Sequence, residues 1–203
     1  MTPSSGGRCA VPCWRCFSGP PWWGPFFGTA IARTPAPNRR RRSLRRPAQL
    51  FWNRGAGRGM SFVPVPPARC GQDIFQPIVG RGSAFADLDG DGDLDVVLTQ
   101  IAGPPLLLRN DQALGHHWLR LKLAGTKANR DAIGAWVKVR VGSQTLARQV
   151  MPTRSYLSQS ERTVTFGLGA ASRVDEVTVA WPGGAIQKVT GLRLDSVNVV
   201  KQP

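Results

Sequence analysis

The first 60 residues of this 203-residue chain contain no acidic residue and no lysine, although they contain eleven arginines. The remaining 143 residues contain sixteen basic and twelve acidic side chains, so the formal net charge of +15 divides into +11 and +4. Arginine among proline, glycine and serine buries too little apolar surface to fold, and we expect residues 1–47 to be disordered. A basic arm would bind phosphates without sequence selectivity, so nucleic-acid binding is an alternative, which deletion of residues 1–59 would test.

Long apolar runs are also missing, and no stretch approaches the roughly 20 residues of a transmembrane helix. A segment similar to a secretion signal runs from Trp22 to Ala32, behind Arg8 and Arg15, and ends in an A-x-A-like site. Prolines and glycines interrupt that segment. The acid-free pattern also agrees with a true start at Met60, a hypothesis that native N-terminal peptides from further upstream would disprove.

Cysteine and histidine are too few and too scattered for the common catalytic centres. Cys9, Cys13 and Cys16 have an iron–sulfur spacing, but no alternating strands and helices follow, and no fourth ligand completes a zinc site. His116 and His117 are the only histidines and, as strand neighbours, point to opposite faces. Neither a G-x-S-x-G elbow nor a phosphate-binding G-x-x-x-x-G-K-[ST] loop occurs. We therefore predict that the protein is not an enzyme.

The chain does contain five aspartates at alternate positions, in the segment DLDGDGDLD at residues 87–95. As a strand, this segment would place five like charges side by side, which is unfavourable. Glycines at 90 and 92 let the backbone curl and turn the carboxylates inward, where they suit a hard cation that takes six to eight oxygens. We predict a calcium loop whose ligands are the carboxylates of Asp87, Asp89, Asp91 and Asp95, the carbonyl of Asp93 and a water.

An EF-hand loop begins in the same way, but it needs a glutamate at position twelve and a helix on each side. Position twelve is Leu98, and the flanking residues have β character. Asp95, at the ninth position, must therefore close the site. A solvated acidic turn without metal is the alternative.

Alternation of apolar and polar residues continues towards the C terminus. In residues 119–123 the leucines alternate with Arg120 and Lys122, which is typical of a strand with one buried and one wet face. The same alternation recurs at residues 137–141, 164–168 and 177–181. About seven short strands at this spacing predict an all-β fold, a small antiparallel sandwich or barrel.

Two known families resemble the two parts of this chain. GRGSAFADLDGDGDLDVV, at residues 80–97, is similar to an FG-GAP (VCBS-type) repeat, the blade unit of integrin-like β-propellers, in which the loop binds calcium between two strands. The similarity extends to residues 50–55, 61–65 and 106–110, and implies one repeat over residues 48–111. One blade is too little for a propeller and has exposed edges. We expect it to pack on the following domain, or the chain to be the C-terminal piece of a longer protein.

The second resemblance, over residues 113–202, is to the ASPIC/UnbV domain of the cartilage acidic protein family. The motifs that carry it are HWL at 117–119, NRDAIGA at 129–135, SYLSQS at 155–160, FGLG at 166–169 and WPG at 181–183. Residues 151–154 depart from that family, which usually has a glycine there. The turns at 129–131 and 155–160 would form a polar recognition surface if they reached the same end of the sandwich. The simpler interpretation is that Asn129 and Asp131 cap a turn while Arg130 pairs with a carboxylate.

These features predict a non-catalytic, calcium-binding recognition or adhesion module, with a protein or glycan as its ligand. The calcium loop and the resemblance imply an extracellular, cell-surface or periplasmic location. An accessory component of an enzyme system, with an unknown substrate, is the alternative. The sequence indicates no oligomeric state.

Overall fold

The computed structural model describes residues 26–27, 44–53, 62–111 and 114–203, and these form mostly β-sheet. One helical turn, α1 (Pro67–Cys70), and one 3₁₀ turn (Asp73–Phe75) accompany the strands. None of the sheets in these ranges closes into a barrel. The strands are β1 (Phe26–Phe27), β2 (Leu50–Asn53), β3 (Phe62–Pro64), β4 (Gly80–Ala86), β5 (Asp95–Gln100), β6 (Leu106–Leu108), β7 (His117–Ala124), β8 (Trp136–Val141), β9 (Gln144–Gln149), β10 (Val164–Gly169), β11 (Glu176–Ala180), β12 (Ile186–Val189) and β13 (Val197–Lys201).

Two sheets in the C-terminal part of the chain share one apolar core. Their strand orders are β10-β7-β13 and β12-β11-β8-β9. Alternate side chains from both sheets point into this core, as the period-two pattern predicted. Its strand residues include Leu119, Leu121, Leu123, Val137, Val139, Val164, Phe166, Leu168, Val177, Val179 and Val200.

The prediction of a wholly antiparallel sandwich is wrong for one strand pair. β13 runs parallel to β7, with Val200 opposite Leu123 and both side chains in the core. A parallel neighbour needs a long crossover rather than a hairpin. Here five strands, β8 to β12, come between β7 and β13, and they include all four strands of the second sheet.

The prediction of a wet outer face is also wrong, at the middle of β7. Arg120 points away from the core as the alternation requires, but it is only 5 % exposed. The aspartate loop lies over it, as described below.

The residues before the sandwich form two three-stranded sheets, β1-β2-β3 and β4-β5-β6. Leu50, Val65, Cys70 and Ile74 form one small core, and Ile78, Val96 and Leu98 form another; Leu108 packs against both. β2 to β6 fall within residues 48–111, to which the FG-GAP resemblance applies, and β1 does not. Because β2 and β3 lie in a different sheet from β4 to β6, a single blade remains a prediction.

Much of the N-terminal sequence falls outside the described residues, including the cysteines at 9, 13 and 16 and most of the segment expected to be disordered. Within the described part, the backbone of Arg46 exchanges two hydrogen bonds with Ile78, of 2.8 and 3.0 Å. Among the described elements, no helix is both long enough and apolar enough to cross a membrane.

Candidate metal centre

The aspartate loop joins two antiparallel neighbours, β4 and β5. Asp95, the first residue of β5, pairs with Ala86, the last residue of β4, so the ends of the loop meet. Both carboxylate oxygens of Asp95 accept backbone hydrogen bonds, Oδ2 from Leu88 (2.9 Å) and Oδ1 from Asn110 (2.8 Å). The side chain of Asp95 is buried, and these bonds fix its position.

The carboxylate of Asp87 is held at the other end of the loop. Its Oδ1 accepts a hydrogen bond from the N–H of Gly90 (2.6 Å), and its Oδ2 accepts one from Gly92 (3.0 Å). Both glycines have a positive φ, of 83° and 97°. A residue with a side chain would be strained in this conformation, whereas glycine is not. The two glycines therefore allow the curl that the sequence predicted.

Three of the five predicted aspartates converge on one point. Asp87, Asp89 and Asp95 each offer one carboxylate oxygen, and these oxygens lie within 4.8 Å of one another. Asp91 and Asp93 lie outside that group, and Oδ1 of Asp91 accepts a hydrogen bond from the Asp93 N–H (2.9 Å). The structure thus places Asp87, Asp89 and Asp95 together, and the ligand roles of all five aspartates stay predictions.

Negative charge in the loop exceeds the positive charge that faces it. Burial raises the pKa of Asp93 to about 7, and the charges of the other four aspartates add to this shift. Burial also raises the pKa of Asp91, although the N–H of Asp93 opposes the shift. Within the described residues, two arginines form ion pairs with the five aspartates: Arg109 lies 3.6 Å from Asp89, and Arg120 pairs with Asp87. A further cation would stabilise this loop.

The donor atoms of the loop suit a hard divalent cation. All of them are oxygens, and carboxylates are the ligands that Ca²⁺ takes most often. Oδ1 of Asp95 and Oδ1 of Asp87 each accept one hydrogen bond, which leaves a lone pair on each oxygen. Asn110, whose N–H contacts Asp95, has a buried Oδ1 without a hydrogen-bond partner in the described structure. These residues therefore fit calcium.

A buried arginine connects this loop to the C-terminal sandwich. Arg120 of β7 donates from Nη1 to Asp87 and from Nη2 to Glu161, and its Nε donates to the hydroxyl of Thr165 (3.1 Å). Burial raises the pKa of Glu161, while the charge of Arg120 acts in the opposite direction. The sequence analysis did not identify Arg120 and Glu161. A buried arginine at a polar position of an alternating strand looks the same in the sequence as an exposed arginine, and its acidic partner has no local signal either.

Backbone and hydroxyl contacts join the same two parts of the chain. Phe85 of β4 donates its N–H to Ser160 Oγ (3.2 Å), and its carbonyl accepts from Glu161 N–H (3.0 Å). Ser83 and Ser155 share a hydrogen bond between hydroxyls, of 3.2 Å. The segment with the aspartate loop is thus packed on the domain that follows it, which is one of the two arrangements expected from the sequence.

The turn at residues 129–135 is closed by its own asparagine. Asn129 donates from Nδ2 to Ile133 O (3.0 Å), and its Oδ1 accepts from Ile133 N–H (2.6 Å). This agrees with the simpler interpretation of that turn. Arg130 lies 3.6 Å from Asp131. Asp131 also pairs, at 2.5 Å, with Arg162, which comes two residues after the turn at 155–160.

One of the two histidines has an acidic partner: Nδ1 of His117 lies 2.7 Å from a carboxylate oxygen of Asp195.

The C-terminal part of the chain is similar to a known domain family. Residues 125–203 match the family described as ASPIC and UnbV, so the sequence-based resemblance is confirmed for this part of the chain. β7 precedes the matched range, yet its leucines belong to the same core.

Part of the chain is also similar in sequence to cartilage acidic protein 1 of three vertebrates. The chain is 33 % identical to cartilage acidic protein 1 of Xenopus tropicalis over 111 aligned residues. The alignment covers 53 % of this chain and 17 % of that protein. Over 130 residues the chain is 30 % identical to cartilage acidic protein 1 of Mus musculus, 61 % of this chain and 20 % of that protein. The Homo sapiens protein of the same name is also 30 % identical. The chain spans about a fifth of the length of these relatives.

Proposed function

We propose that the protein is a non-catalytic recognition or adhesion module in which calcium, bound by the aspartate loop, is structural. The convergence of three carboxylates in a loop with excess negative charge carries this proposal. The match to the ASPIC and UnbV family and the cartilage acidic protein relatives support a module of this kind outside the cell. Millimolar external calcium would suit a site of this type.

The position of the loop indicates what the bound ion would do. Asp87 and Asp95 stand where β4 and β5 meet, and Asp87 is held by Arg120 from the sandwich. Calcium would supply positive charge that offsets the repulsion between the aspartates. The carboxylates would then hold the loop in one shape, and with it the surface that it shares with the sandwich.

Calcium titration of the thermal unfolding temperature tests this proposal. We expect calcium to raise the Tm of the native chain, because only the folded loop brings the carboxylates together. Asp89→Asn should weaken the apparent affinity roughly tenfold or more, because it removes one charged ligand. Asp89 suits this test because it is exposed and its ion pair with Arg109 is long, so the substitution leaves the fold intact.

The matched control is Asp73→Asn, in the 3₁₀ turn outside the loop, which should keep the native response. A native chain whose Tm does not respond to calcium contradicts the proposal. So does an Asp89→Asn variant with the native calcium dependence.

A further inference from the structure

A short loop of the sandwich presents two large side chains to solvent. Residues 153–160 are closed at their base by the bridge between Thr153 and Gln159 and by a hydrogen bond from Ser160 N–H to Pro152 O (2.8 Å). At the end of this loop Tyr156 is 63 % exposed and Leu157 is 86 % exposed. We refer to these two residues as the Tyr156–Leu157 tip.

The backbone at the tip is strained and held in place. Ser155 and Leu157 have φ of 68° and 47°, in the left-handed region, which costs about 1–2 kcal/mol for a residue other than glycine. Such conformations persist where the surroundings impose them, and they are concentrated at ligand sites. Here Ser155 Oγ bonds to Ser83 Oγ (3.2 Å), and Ser158 Oγ donates to Tyr156 O (2.8 Å). The tip is therefore pre-organised, which lowers the entropic cost of binding a partner.

Arg154 lies two residues before Tyr156 in the sequence, and Arg148 is close enough to Arg154 for their charges to interact. Arg154 donates from Nε to Met151 O (3.0 Å), and Arg148 donates from Nη1 to Ala147 O (3.4 Å). Neither forms an ion pair with any residue that the structure describes. Burial lowers the pKa of the half-buried Arg148, and the positive charge of Arg154 lowers it further. Residues 132–160 contain four basic side chains and no acidic one, and of these four Arg140 pairs with Glu176.

We propose that the Tyr156–Leu157 tip, with Arg148 and Arg154, binds an acidic segment of another polypeptide. Apolar side chains of that segment would cover the tip, and its carboxylates would pair with the two arginines. A polypeptide fits better than a sulfated glycan, because Leu157 offers no hydrogen bond and gains only from apolar contact. This inference rests on the proposed recognition function and names its site and the class of partner.

A displayed library of random 12-residue peptides, selected on the full chain, provides the probe. We expect the selected peptides to combine Asp or Glu with large apolar residues, and we would measure their Kd as synthetic peptides by fluorescence anisotropy. The double variant Tyr156→Ser, Leu157→Asn should weaken binding at least tenfold. Asparagine tolerates the left-handed backbone of position 157, so the loop keeps its shape. Arg154→Gln should weaken binding several-fold and reduce its dependence on salt.

Two matched controls lie elsewhere on the sandwich. Ile186→Asn removes another mostly exposed apolar side chain, at the start of β12, and Arg173→Gln removes another exposed charge. Both should leave the Kd unchanged. The inference is overturned if no peptide is enriched, if the peptides bind the double variant as tightly as the native chain, or if heparin alone binds and depends on Arg148 and Arg154.

Calcium response, measured on the same samples, separates this inference from the proposed function. A native calcium-dependent Tm without peptide binding overturns the inference and leaves the calcium proposal standing. Peptide binding that depends on the tip, in a chain whose Tm ignores calcium, supports the inference and contradicts the calcium proposal.

Discussion

Two glycines of the aspartate loop have the same backbone preference but different neighbours. At Gly90 an added Cβ would meet nothing within 4 Å, whereas at Gly92 it would lie 2.1 Å from the indole ring of Trp118. We expect Gly90→Ala to lower the free energy of unfolding by about 1–2 kcal/mol, the cost of left-handed backbone. Gly92→Ala should cost a further 1–3 kcal/mol or so, because the ring must move. Urea unfolding of both variants measures this, and equal losses would show that Trp118 does not cover the loop.

The raised pKa of Asp93 gives the metal-free protein a particular dependence on pH. Because the folded pKa of about 7 exceeds the unfolded value of 3.8, the folded state binds the proton more tightly. Stability from this group is present at low pH and is lost as the pH rises from about 4 to 7. In EDTA, Asp93→Asn should therefore raise the Tm at pH 8 more than at pH 4. The side chain is partly exposed, so we expect a gain of about 1 kcal/mol or less. A variant whose Tm gain is the same at both pH values would contradict this assignment.

Individual residues differ in how far the sequence predicts them. The spacing of Asp87, Asp89 and Asp95 predicts that their carboxylates converge, because a nine-residue segment with two glycines forms a tight loop. The tertiary partners of the loop are different. Arg120 is 33 residues from Asp87 and Glu161 is 74, and neither has a local signal. Their meeting depends on how two separately formed sheets pack.

Between elements, the contact of Arg120 with Asp87 and Glu161 joins the loop after β4 to the outer face of β7. The side chain of Asp87 is fully buried, and that of Arg120 is 6 % exposed. Loss of one partner leaves a buried charge without compensation, which typically costs 3–5 kcal/mol or so. We expect Arg120→Met to lower the free energy of unfolding by about that amount in urea titrations.

Arg140→Met is the matched control for that substitution. Arg140 is half exposed and pairs with Glu176 at 3.4 Å on β11, so its loss should cost less than about 1 kcal/mol. If Arg120→Met fails to fold, the triple variant that adds Asp87→Asn and Glu161→Gln should restore folding, because it removes both carboxylate charges that Arg120 had compensated. Equal costs for the two single variants would disprove a buried bridge.

Among the elements, strands were easier to predict than their pairing. Period-two alternation is a local property, and it located β7, β8, β10 and β11 because each buries one face in the shared core. The partner and direction of a strand are not local. β13 pairs in parallel with β7 because that register places Val200 beside Leu123, and a pattern read along one strand contains no information on its neighbour. The wet face assigned to Arg120 was wrong for the same reason, because the covering group comes from another sheet.

At the scale of the molecule, the contact between the loop-bearing sheet and the sandwich decides whether the two parts behave as one unit. β4 approaches the loop at 155–160 closely, since a Cβ at Gly82 would lie 2.4 Å from Ser158 Oγ and 3.0 Å from Tyr156 O. A sheet of three short strands needs a hydrophobic face or a packing partner to be stable in water. The hydrogen bonds of Phe85 and the bridge through Arg120 tie β4 and its loop to the sandwich.

We therefore expect β4 and β5 to be protected together with β7 in the native chain, in both hydrogen exchange and limited proteolysis. Gly82→Ala should separate them, because the new methyl group would collide with Ser158 Oγ and Tyr156 O of the 155–160 loop, and it would also crowd Thr99 Oγ1 of β5. β4 and β5 should then lose protection while β7 to β11 keep theirs. Gly80→Ala on the same strand is the control, because its methyl group would meet only the flexible end of Ile78 at 3.3 Å. Rapid digestion of residues 62–111 in the native chain, with a protected core that begins only near His116, would show that the two parts are independent. Such a result would also remove the route by which calcium in the loop could stabilise the sandwich, since that route passes through this contact.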